Sequence, residues 1–127
     1  EWKLFWPALA VTYVRGVRLD DQGAMDRPDL VCANQHDCLV RFLMIHGETH
    51  PSRELVMRKV CEESLDLLRR DPPSLSQVAG MLKRAEEIGL DQNWYALQNR
   101  LWAIASDKAE AGKHTGLKQA LALAGFA

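Results

Sequence analysis

The sequence predicts an all-α fold, a compact bundle of about six short helices joined as antiparallel helical hairpins. Three observations predict it. Apolar residues recur at the 3.6-residue helical period over most of the second half of the chain. Helix-capping and helix-stopping residues stand at the ends of those periodic stretches, and no segment alternates with period two for long enough to make a strand. At 127 residues the chain is the size of one domain, with 47% apolar and 26% charged residues, well away from the composition of a disordered segment.

The first helix is expected from Trp6 to Val14, with Pro7 in its first turn, where a missing N–H costs nothing, and Gly16 as its stop. The stretch from Leu19 to Leu30 carries Asp20-Asp21-Gln22-Gly23 and Arg27-Pro28-Asp29, turn chemistry without a hydrophobic period, and reads as the longest loop. Asn34 can cap a second helix, with Asp37 placed where a carboxylate suits the free N–H groups. From Cys38 to Ile45 that helix is apolar nearly all round, which predicts a central element wrapped by its neighbours and ended by Gly47. Pro51 and Ser52 open a third helix to about Arg70, with Val56, Met57, Val60, Cys61, Ser64, Leu67 and Leu68 at helical spacing.

Asp71-Pro72-Pro73 breaks the chain, and Ser74-Leu75-Ser76-Gln77 has the form of a capping box at the next start. The fourth helix puts Leu75, Val78, Ala79, Leu82, Ala85 and Ile88 on one stripe and stops at Gly89 and Leu90. Asp91 or Asn93 caps a fifth, which turns Trp94, Leu97, Leu101, Ile104 and Ala105 inward; Thr115 starts a last one through Leu117, Ala120, Leu121 and Ala124. The chain reads as one helical domain over residues 1–127, and its start without a methionine reads as part of something longer.

Charge and cysteine content narrow the function classes. Sixteen Lys and Arg against seventeen Asp and Glu give a net charge of −1, so no global field steers the domain toward nucleic acid or anionic lipid. No stretch approaches the apolar length of a bilayer span; the run Leu39 to Ile45 is broken by Arg41. Cys32, Cys38 and Cys61 are an odd set in a chain that does not need staples, which predicts free thiols and a cytoplasmic location.

Several residue groups could carry chemistry. Cys32, Cys38, His46 and His50 form a Cys-x5-Cys-x7-His-x3-His array of zinc-ligand types with His36 nearby. Its first spacing is wider than the knuckle of structural zinc fingers, and Gly47 and Pro51 interrupt the helix that would align the two histidines. The expectation is therefore no metal and no cofactor, with Cys38 packing as a small hydrophobe. Trp94, Tyr95, Gln98, Asn99 and Trp102 bring aromatic faces and amide groups together on one helix, suited to core packing first and to stacking on a base, a sugar or a partner second.

The basic groups Arg53/Arg58/Lys59, Arg69/Arg70 and Lys83/Arg84, with Lys108, Lys113 and Lys118, are interleaved with Glu54, Glu62, Glu63, Glu86 and Glu87 and read as a solvated mixed-charge surface. Ser76-Gln77-Val78-Ala79 has some flavour of a DNA-binding helix-turn-helix, but Asp91 to Gln98 offers no cation for a recognition helix. The adjacent carboxylates Asp20/Asp21 and Glu62/Glu63 point apart on any regular element, and neither a glycine-rich phosphate loop nor a nucleophile elbow is present.

The run Leu82 to Trp102, and within it Asn93-Trp94-Tyr95-Ala96-Leu97-Gln98-Asn99-Arg100-Leu101-Trp102, resembles a helical stretch near the C-terminal end of α-amylase-type glycosidases of glycoside hydrolase family 57. The resemblance carries over no catalytic residue; it implies an accessory helical domain of a carbohydrate-active enzyme. The residues themselves favour a non-catalytic interaction or scaffolding domain that meets a protein partner, or the remainder of a longer chain. Trp2, Phe5 and Trp6 are the expected interface, on the ground that large apolar residues exceed what six short helices need. A nucleic-acid-binding subunit using the scattered cations is the alternative, and no membrane is expected.

Overall fold

Local capping chemistry sets most of the helix boundaries. A computed structural model describes residues 2–19, 34–90, 94–106 and 117–124 of the chain. Among them are six helices: α1 (Trp2–Val14), α2 (Gln35–His46), α3 (Arg53–Leu68), α4 (Leu75–Glu87), α5 (Tyr95–Ser106) and α6 (Leu117–Leu123). The described residues form an all-α bundle and include no strand. Residues 20–33, the caps expected at Asp91 or Asn93, Lys108, Lys113 and the start at Thr115 lie outside the described residues.

Gly16 ends α1 with φ +94°. Its N–H reaches the carbonyl of Tyr13 and the N–H of Val17 that of Thr12, so two carbonyls left over at the helix end are satisfied. Gly89 repeats this arrangement after α4, at φ +85°, with Gly89 N–H on Glu86 and Leu90 N–H on Ala85. In both turns the left-handed backbone is the reason for glycine. Asn34 caps α2 as expected: its extended backbone lets Oδ1 accept the N–H of Asp37 at 2.8 Å.

Other boundaries depart from expectation. α1 begins four residues early and runs through Pro7. The lost intrahelical bond is outweighed by the burial of Trp6, Leu9, Ala10 and Val14 beyond it. Ser74 stands at the N-cap of α4 without a side-chain cap bond, so the capping box is not made; its ψ of 64° is far from the extended value that lets Asn34 cap α2. The Asp71–Pro72 peptide before it is cis.

The core is built around α3 and α4 rather than α2. α1, α3 and α4 pack mutually, α5 lies on α3, and α6 covers α4 and α5. Successive helices α3/α4 and α5/α6 pair as expected of hairpins. α2 packs mainly on α1, and its Met44 and Ile45 are 50% and 60% exposed, so the central position expected for it is a peripheral one. An all-round apolar helix need not be central when one side of it meets solvent.

The predicted stripe of α4, Leu75, Val78, Ala79, Leu82, Ala85 and Ile88, is buried throughout, as are Val56, Met57, Val60, Ser64 and Leu68 of α3. Polar links tie the helices together. Arg84 of α4 donates from Nε to the Val14 carbonyl, setting a cation at the negative end of α1, while its guanidinium lies over the bare backbone of Gly16 and Gly80. Tyr13 Oη donates to Glu87, and Arg15 meets Glu63 of α3 through two bonds of 2.6 and 2.9 Å.

Candidate functional site

α5 carries the groups that sequence reasoning singled out for binding, and the fold divides them. A helix turns about 100° per residue, so positions 94, 97, 101 and 104 share one side and 95, 99, 102 and 106 another. Trp94, Leu97, Leu101 and Ile104 are buried in the core. Tyr95 and Trp102 are 70% and 61% exposed, with Asn99 exposed between them. Seven residues of helix separate the two rings by roughly 10 Å along the axis. Arg100 is exposed beside them, and α5 contains no acidic residue. Gln98 serves the fold instead: half-buried, its Nε2 donates to the Ala124 carbonyl after α6 and holds the two helices together.

The expected interface at the start of the chain is corrected at Trp6. Its ring is fully buried, its Nε1 points to the Leu43 carbonyl at 3.5 Å, and its face stacks on the His50 imidazole with centroids 4.5 Å apart and an interplanar angle of 12°. The bulk of Trp6 is spent on joining α1 to the turn after α2. The side chains of Trp2 and Phe5 lie outside the described residues.

The described members of the Cys/His array are not gathered into a ligand set. Cys38 is disulfide-bonded, so its sulfur offers no thiolate to a metal; Cys32 lies outside the described residues. His50 is 4% exposed, held by Trp6 on its face and by the Ser52 N–H on Nδ1 at 3.0 Å. His46 packs at a tilt against Phe42, and His36 accepts the Leu19 N–H on Nδ1. Among the described residues no three His, Cys, Asp or Glu side chains are grouped to hold a metal ion. The Cys38 bond also corrects the expectation of three free thiols; among the described cysteines it holds at Cys61. Burial, helped by Glu62, pushes the Cys61 thiol above its ordinary pKa and lowers its reactivity.

The expected basic surface is partly committed to the fold. Arg84 serves Val14 and Arg53 donates to the Gly89 carbonyl, while Arg69 pairs with Asp66 and Arg41 with Asp37 on their own helices. Arg58, Lys59, Arg70 and Lys83 are exposed.

Sequence reasoning passed over four exposed apolar residues: Val17 after α1, Met44 and Ile45 on α2, and Leu55 at the start of α3. For Met44 and Ile45 the signal is the all-round apolar character of α2, which suits an exposed apolar face as well as a central position. No helix among the described residues is long and apolar enough to cross a membrane.

The comparisons with known proteins add no relative. No family model matches the chain, nor does any curated protein or solved structure.

Proposed function

We propose that this chain is a non-catalytic helical interaction domain that meets a protein partner, or the rest of a longer chain, through the outer face of α5. One observation carries the reading: Tyr95 and Trp102, two large aromatic side chains, stand exposed on one face of a helix whose opposite face is buried. Tyr and Trp supply much contact area for little conformational entropy, and such residues are enriched at the centres of interfaces.

The test is the double variant Tyr95→Ala, Trp102→Ala, compared with the parent by light scattering and by cross-linking in the extract of its source. Because both rings are mostly exposed, thermal stability should stay within about 1 kcal/mol of the parent while association falls away. Equal association of the two proteins would reject the α5 face.

A second reading rests on the same two rings, which also suit stacking on a sugar face, as the glycosidase resemblance implies. Maltooligosaccharide should then change the tryptophan fluorescence of the parent and leave the Trp102→Ala variant unchanged. The nucleic-acid alternative is weakened by the arginines already engaged within the fold; it requires salt-dependent binding of single-stranded or duplex DNA or RNA through Arg58, Lys59, Arg70 and Lys83. Placement in the cytosol is likewise a proposal. It rests on the odd cysteine count and the free Cys61, and the Cys38 disulfide weighs toward an oxidising compartment.

A further inference from the structure

We draw no further inference here: the strongest candidate, the exposed Tyr95, Asn99 and Trp102 face of α5, belongs to the surface already proposed, and nothing in the structure shows what covers it.

Discussion

Replacing Gly47 by alanine would set a methyl carbon 1.6 Å from the carbonyl oxygen of Ile88 and 2.7 Å from its carbon. Gly47 has an ordinary right-handed backbone with φ −56°, so strain in its own dihedrals is not the issue; what it provides is the absence of a side chain. The backbone leaving α2 crosses the turn that ends α4 so closely that only hydrogen fits between them. Restoring normal contact would take roughly 2 Å of separation. The atom in the way is main chain, fixed by the Gly89 and Leu90 hydrogen bonds and by the full burial of Ile88 and Leu90.

Overpacking a well-ordered core costs about 1–3 kcal/mol, and a contact with backbone belongs at or above the top of that range. We therefore expect Gly47→Ala to lose about 3 kcal/mol or more, which in a domain of this size lowers Tm by on the order of 10 °C. Urea unfolding followed by far-ultraviolet circular dichroism measures it, with Gly80→Ala as the control. Gly80 lies inside α4, and a methyl group there meets only the Arg84 guanidinium at 3.2 Å, which can move. That variant should stay within about 1 kcal/mol of the parent, aided by the better helix propensity of alanine. A Gly47→Ala protein as stable as the Gly80→Ala control would refute the close crossing of α2 and α4.

Three further outcomes follow from single side chains. Burial first, and the bond to Glu87 second, push the Tyr13 phenol from 10.0 up to about 12. The fold favours the neutral phenol, so its contribution to stability is complete below pH 10 and is lost as pH rises through about 12. In a Tyr95→Phe background, where Tyr13 alone absorbs as phenolate, Glu87→Gln should move the ultraviolet titration to lower pH; an unmoved curve would reject the Glu87 contribution. Ser64 is fully buried and its Oγ has no hydrogen-bond partner among the described residues, so Ser64→Ala should be neutral or stabilising by up to about 1 kcal/mol in denaturant unfolding. A loss above that size would mean the hydroxyl is bonded. Thiol titration of the denatured protein should count fewer free cysteines before reduction than the three found after it, and native Cys61 should alkylate slowly at neutral pH. Three thiols without reduction would remove the disulfide and with it the argument against the cytosol.

The features legible in the sequence are those whose cause lies within one turn of helix. The α4 stripe, the stops at Gly16 and Gly89, the Asn34 cap and the inward set Trp94, Leu97, Leu101 and Ile104 all depend on neighbours a few residues away, and each is found as expected. What was illegible depends on partners far along the chain. Gly47 looked like a helix stop, and its need for bareness comes from Ile88. Arg84 looked like surface charge, and its task is set by Val14, 70 residues earlier. Trp6 looked like an interface because nothing in its own segment shows that His50 will lie on its face. The same limit applies to the candidate site: Trp94, Tyr95 and Trp102 together suit core packing first, yet only Trp94 is buried, and the period carries no information on what meets the other two.

The place of α3 has a consequence for how the domain comes apart. Held by α1, α4 and α5 together, the middle of α3 should contain the slowest-exchanging amide protons of the domain. α2 packs mainly on α1, and its start should open before that centre does, as far as the crossing at Gly47. Disassembly thus begins at the periphery, and a ligand that grips α5 presses on a helix seated directly against the last element to yield.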